Sequence, residues 1–375
     1  MKKPHGYFIG RRGDSRLTRR GFLETSGRLA AALAAGVAPA WVRQAGASTP
    51  RKISFTLPWL FVGGQAHEYV SQKRYWRERG LEVEISRGRG SGAAVKDIGT
   101  GAFMFGEASL NVMVNGIGQG LDLVGIGVKC PTSPMGISCR KEANVRTPKD
   151  LEGKSLGNAP GSGDTHLLPG FAASAGFDLS KVHRVSAAPD KLIPTLMAKQ
   201  VDCVGVYYVS NGAAIHFQDP SVNTLLYHDY GVVTLDLGLI TTPKMVKEEP
   251  KLCQDMADGF YLGLKEMLLE PEASLDIMIE AKPELKTQPR KLLLTQLGNT
   301  NALAWSQAFE KSGLGWMDAE EQRQTRENVM RYMDIANVPP TEKLFTNQFA
   351  GKVKLTAEEW RKARAWAAPY LPKKA

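Results

Sequence analysis

The segment KISFTL, residues 52–57, alternates apolar and polar side chains, so Ile53, Phe55 and Leu57 share one face and predict a strand. Glycines 63 and 64 interrupt it, and QAHEYVSQKRYWRER (65–79) predicts a helix that Gly80 ends. LEVEIS (81–86) alternates again as a second strand. Gly90, Ser91 and Gly92 then open a helix over 93–101. AFMFG (102–106) predicts a third strand, LNVMVNGIG (110–118) a third helix, and DLVGIGV (122–128) a fourth strand. Strands alternating with helices at this interval predict a parallel sheet with crossover helices.

The rhythm resumes after a break. TPKDLEGKSLGNAP gives a short helical turn and a strand, THLLPGFAASAG (165–176) a helix, and VHRVS (182–186) a strand. DKLIPTLMAKQ (190–200) is a helix and VDCVGVYYV (201–209) another strand. From about Lys244 onward the pattern becomes long helices with almost no strand signal. Two α/β lobes with a helical tail are the predicted architecture.

GNAPGSGDTHLL (157–168) resembles a phosphate loop only superficially, because Asp164 stands where such a loop needs lysine. Ligands of open α/β sheets bind beyond the carboxyl ends of strands, where helix N-termini present free N–H groups. Gly90-Ser91-Gly92 in one lobe and Gly161-Ser162-Gly163 in the other therefore predict the two sides of a cleft around a small ligand. Asp164 would repel an anion there, so its side chain is expected to turn away.

The N-terminus changes the meaning of the charge. TRRGFL carries Arg19 and Arg20, a modest apolar run follows over about 29–42, and Ala45-Gly46-Ala47 resembles a cleavage site. This matches the twin-arginine export pattern. Residues 1–47 hold nine Lys/Arg and two Asp/Glu, which is +7 of the formal +10. The remaining 328 residues carry only +3 (39 basic against 36 acidic), which gives no support to nucleic-acid binding. Export allows disulfides, and Cys130 and Cys139 bracket a short excursion that could bring them together. Cys203 and Cys253 read as buried thiols. No C-x-x-C pair or His-rich cluster suggests a metal site. His67 and His166 lack Ser, Cys or acidic partners at motif spacing, so no catalytic residue is assigned and no cofactor is expected.

The stretches LPW (57–59), YWRERGLEVEI (75–85), GRGSGAAV (88–95), FMFGEAS (103–109), TPKDLEGKSLGNAPGSG (147–163) and LMAKQVDCVGVYYVSN (196–211), with the late GLGWMD and LFTNQF, carry a resemblance. In this order they resemble the periplasmic solute-binding proteins of ABC importers that take up thiamine pyrimidine precursors, alkanesulfonates, taurine and nitrate. The resemblance implies an α/β clamshell of the second periplasmic-binding type. It places a signal peptide at 1–47, a first lobe at 48–137, a second at 138–238, and a return to the first lobe with C-terminal helices at 239–375.

It also implies which residues face the ligand: Trp59, Gln65, Ser91, Gly92 and Ser109 from the first lobe, and Gly161, Ser162, Thr165, Tyr207, Tyr208 and Asn211 from the second. Trp59 has an alternative reading as core, and Ser91 as a helix cap. Consecutive tyrosines on a strand point to opposite faces, so at most one of Tyr207 and Tyr208 enters the cleft. Ser109 stands where many members have Asp, and Asn211 near where pyrimidine-binding members have Glu. Both departures weaken an aminopyrimidine as ligand. The cysteine-rich motif of the related pyrimidine-forming yeast enzymes is absent. The expected function is a periplasmic, non-enzymatic receptor that hands an anionic or heteroaromatic solute to an inner-membrane ABC permease. The alternatives are an enzyme acting on a thiamine-pyrimidine-type precursor and a receptor feeding a sensor.

Overall fold

A computed structural model describes residues 49–333 and 335–371; the export segment, with Arg19, Arg20 and Ala47, lies outside them. The first sheet contains β1 (Arg51–Thr56), β2 (Leu81–Ser86), β3 (Phe105–Ser109), β4 (Val124–Val128) and β10 (Leu237–Thr241). The second contains β5 (Met135–Cys139), β6 (Ser155–Asn158), β7 (His183–Ser186), β8 (Cys203–Tyr207) and β9 (Asn223–Leu226). Their orders are β2-β1-β3-β10-β4 and β7-β6-β8-β5-β9.

The sheets are mixed, which corrects the all-parallel expectation. β1 runs parallel to β2 and β3, and β6 parallel to β7 and β8. β10 is antiparallel to β3 and β4, and β5 antiparallel to β8 and β9. β5 and β10 are each the first strand after the chain changes sheets. No crossover helix returns them to the same end of the sheet, so they enter reversed.

The chain crosses between sheets at 129–134 and returns at 227–236. The two crossings are tied together near their ends. Lys129 and Cys130 N–H groups donate to the Leu237 carbonyl at 2.7 and 3.1 Å, and Asp236 N–H donates to the Cys130 carbonyl at 3.2 Å.

β2 keeps the alternation legible in LEVEIS, with Leu81, Val83 and Ile85 buried between exposed glutamates. β3 lies three residues later than AFMFG suggests. All five of its residues are buried, so no alternation marks its register, and Met104 N–H instead donates to Ser54 Oγ at 3.0 Å. The helix Leu110–Gly118, here α1, forms where its pattern predicts. A 20-residue helix, α2 (Pro250–Leu269), buries Met256, Phe260 and Leu264 at four-residue spacing. Phe260 and Trp76 meet Phe55 of β1 with ring centres 6.4 and 5.6 Å away.

In the second sheet, β8 is buried on both faces. Cys203 belongs to a cluster with Leu167 and Phe171, while Val204 and Val206 join Leu192, Leu196 and Ile215 in another. The disulfide expectation is corrected here: Cys139 bonds to Cys203, 64 residues away, while Cys130 and Cys253 are buried thiols. Cys139 and Cys203 are direct partners in the β5–β8 ladder, with Cα atoms 4.0 Å apart. Cys130 is separated from Cys139 by the change of sheet. No helix among the described residues is long and apolar enough to cross a membrane.

Candidate ligand-binding site

Local backbone geometry brings the two glycine turns together. Gly90 has φ of 124°, a conformation L side chains rarely adopt, and its N–H donates to the Pro58 carbonyl. Gly161 has φ of 75°. Gly92 N–H donates to the Gly161 carbonyl at 2.9 Å, so the turns touch across the gap between the sheets. A Cβ on Gly92 would lie 3.0 Å from that carbonyl oxygen. Gln296 spans the same gap, accepting from Gly63 N–H at 2.9 Å and donating to the Ser210 carbonyl at 3.4 Å.

Behind these contacts lies a cavity of about 40 Å³, room for a few water molecules. Trp59, Gln65, Ser91, Ser162, Tyr207 and Asn211 line it. Trp59 follows β1 yet packs against the cluster of Val204 and Val206 from the second sheet. Ser91 makes no capping bond; its Oγ accepts from Ser109 N–H at 3.1 Å. Gln65 folds back to accept from Val62 N–H.

Tyr207 is the tyrosine that reaches the cavity. β8 ends at this residue, and a π-helical turn over Tyr208–Gly212 carries Tyr208 away, so its hydroxyl donates to the Tyr370 carbonyl at 3.4 Å. Asn211 stitches that turn, accepting from Tyr207 N–H at 2.9 Å and donating to the Gly205 carbonyl. Gly92, Gly161, Ser109, Thr165 and Tyr208 do not line the cavity; they support it. Thr165 Oγ1 donates to the Ala159 carbonyl at 2.9 Å, and Ser109 Oγ accepts from Asn111 Nδ2 at 2.7 Å.

Asp164 bonds to the Ser162 hydroxyl at the start of helix α3 (Gly163–Ala175). Burial pushes its pKa up to about 6, with the hydrogen bond from Ser162 working against this. Asp236 accepts from Ser133 Oγ at 2.7 Å, and burial raises it to about 6 as well. The Tyr207 hydroxyl lies close to both. Burial and these two carboxyls hold it well above the usual phenol range.

The charged residues of the cavity escaped the sequence reading: Glu107 on β3 and Lys129 at the first crossing. Lys129 is 2% and Glu107 0% exposed, and the ammonium bonds both carboxylate oxygens at 2.6 and 2.8 Å. Opposite charges inside the apolar runs FMFGEAS and VGIGVK were the available signal, since charges in buried strands need partners. Behind them His67 lies 2.8 Å from Glu68 and 3.9 Å from Glu107. Burial raises both glutamates and lowers His67 well below its usual value. Burial also opposes the Lys129 charge, but Glu107 and Glu68 outweigh it and raise Lys129. Lys129 is bonded to both oxygens of Glu107, which makes Glu107 the direct partner of the ammonium. His67, Glu68 and Glu107 bring ligand atoms within 4.8 Å of one another, a set that could hold a cation. Of these three, Lys129 bonds Glu107 alone.

A small cavity walled by two mixed sheets and reached between touching turns defines a periplasmic-binding-protein fold. The alkanesulfonate-binding protein SsuA from Xanthomonas axonopodis pv. citri, solved with MOPS, is similar over 79% of this chain and 96% of its own, with TM-score 0.61 and 15% identity. The nitrate-binding protein NrtA from Synechocystis is similar over 86% and 91%, with TM-score 0.59 and 12% identity. A Brucella abortus chain named only as a binding protein is 23% identical over 225 residues, 56% of this chain and 64% of its own. The match thus spans less than two thirds of that relative. Residues 66–274, more than half of the chain, match the family described as NMT1/THI5 like. The chain belongs to that family.

Proposed function

We propose that this chain is the exported solute-binding component of an ABC importer, and that it holds a small molecule between its two sheets without transforming it. The observation that carries this reading is the small cavity lined by residues of both lobes, beside which the Gly92–Gly161 bond spans the gap. The lobes divide at the paired crossings, 129–134 and 227–236, and the closed form is the one a ligand selects. In the open form the Gly92–Gly161 bond, the Gln296 bridge and the Trp59 packing would be released together. A ligand favours closure by its differential contacts with the two forms. In this reading those contacts come from Trp59 and Tyr207 together with the Ser91, Ser162 and Asn211 groups. Gly92, Gly161, Ser109, Thr165 and Tyr208 keep them in place, and Gln65 shapes the turn above the cavity. The twin-arginine machinery delivers the protein to the periplasm, where cleavage near Ala47 releases it. The partner is an inner-membrane permease driven by a cytoplasmic ATPase.

A thermal-shift screen of the purified protein against sulfonates, carboxylates, nitrate and pyrimidines tests the reading. A true ligand at 100 times its Kd stabilises the native state by about 2.7 kcal/mol. Trp59→Ala is expected to weaken that ligand. Undiminished affinity in the variant, or turnover detected by mass spectrometry, would count against the reading.

A further inference from the structure

The cavity's charged lining, among the described residues, consists of Glu107 and Lys129 alone, and they neutralise one another. The rest of the wall is apolar (Pro58, Trp59, Val62, Val209, Leu237) or carries uncharged hydroxyl and amide groups. A small anion entering here would meet an ammonium already bonded to both oxygens of a carboxylate. It would have to displace a partner that is covalently part of the site. Leaving Glu107 unpaired in a dry environment is costly.

The other device suited to an anion has a carboxyl of its own beside it. The N-terminus of α3 carries Asp164 in its first turn, bonded to the Ser162 hydroxyl. On the opposite turn the Gly92 N–H is donated to Gly161. The one ammonium of the cavity is therefore partnered by Glu107, the Gly92 N–H by Gly161, and a carboxyl stands in the first turn of α3.

We propose that Glu107 is a specificity-determining residue: it masks Lys129, so the cleft takes an uncharged, hydrogen-bonding solute with a flat apolar body and rejects small anions. This rests on the solute-binding reading and narrows it. Such a solute would stack its body on Trp59 and offer an acceptor to the Ser91 or Ser162 hydroxyl, leaving the charge balance of the cavity floor unchanged. Sulfonate and nitrate, the ligands named for the two structural relatives, would fall outside this class.

Isothermal titration of the full-length protein with nitrate, methanesulfonate and acetate, at constant ionic strength, tests the proposal. The native protein is expected to give no saturable binding. Unmasking Lys129 with the pair Glu68→Gln and Glu107→Gln should create anion binding on the order of tenfold or more above the native level, the size of one hydrogen bond to a charged group. Adding Lys129→Met should abolish it. Asp164→Asn, which frees the α3 terminus, offers a second route to the same gain if the glutamate pair does not fold. Anion binding by the native protein that is lost in Lys129→Met would overturn the proposal while leaving the receptor reading intact. Folded unmasked variants with no gain would overturn it too. Failure of the receptor reading looks different: uncharged probes such as pyrimidine and nicotinamide would leave the melting temperature unmoved, and native mass spectrometry would find no co-purified solute. The effect of unmasking on anions would persist in that case.

Discussion

Replacing both Cys139 and Cys203 with alanine should destabilise the second sheet by about 2–4 kcal/mol. The bridge closes a span of 64 residues, and the chain-entropy relation gives about 4 kcal/mol for a loop of this size. The lower figure allows for the β5–β8 ladder, which brings the two positions together even without the bond. Alanine is preferable to serine, because both sites are fully buried and serine would add two hydroxyls with no assigned partner. Urea unfolding followed by tryptophan fluorescence and circular dichroism would measure the loss. Thiol titration supplies a sharper check. Denatured, unreduced protein should expose two reactive thiols, Cys130 and Cys253, and four after reduction. Four thiols before reduction, or an unfolding midpoint unchanged in the double variant, would refute the pairing and the stability argument with it.

Gly92→Ala places a methyl group 3.0 Å from the Gly161 carbonyl oxygen and should disfavour the closed form by about 1–3 kcal/mol. Small-angle scattering would then show a larger mean radius than the native protein under the same conditions. Asp164 and Asp236 each have a native pKa near 6, above the ordinary 3.8, so the folded state holds their protons more tightly than the unfolded chain. Their stabilising contribution is complete below about pH 4 and is lost as pH rises through 6. Asp236→Asn should flatten the fall in urea midpoint between those values; an unchanged slope would reject the assignment. Changing both Arg19 and Arg20 to lysine should leave precursor in the cytoplasm on immunoblots of cell fractions, and normal periplasmic yield would exclude the twin-arginine route.

Where one face of an element is exposed, its sequence was readable. LEVEIS alternates because β2 is an edge strand; α1, with no exposed residue, was placed to the residue by its run LNVMVNGIG instead. β3 was misplaced because all its positions are buried; β5 and β10 were missed because short buried strands lack a period, and four-residue β9 is too short to show one. Trp59, Ser91, Ser162 and Asn211 were identified as cleft candidates, and the choice between the tyrosines needed only the strand's end at Tyr207. The Lys129–Glu107 pair is different in kind. Its partners are 22 residues apart, on β3 and just after β4, two strands that β10 separates, so only the folded topology reveals the pairing. The disulfide illustrates the same limit, since proximity along the chain favoured Cys130 while the sheet delivered Cys203.

The hydrogen bonds joining the two crossings at Leu237 and Cys130 have a mechanical consequence. Two independent tethers would let the halves of the molecule twist, slide and swing in many combinations. Tethers laced together behave as one leaf spring, stiff to shear and compliant to bending. Movement about such a flexure is confined to a narrow family of rotations, so the many small contacts along the mouth are made or lost in concert. Lys129 stands at the root of that flexure. The residue that fixes the charge of the cavity floor is thus also fastened to the part that must bend.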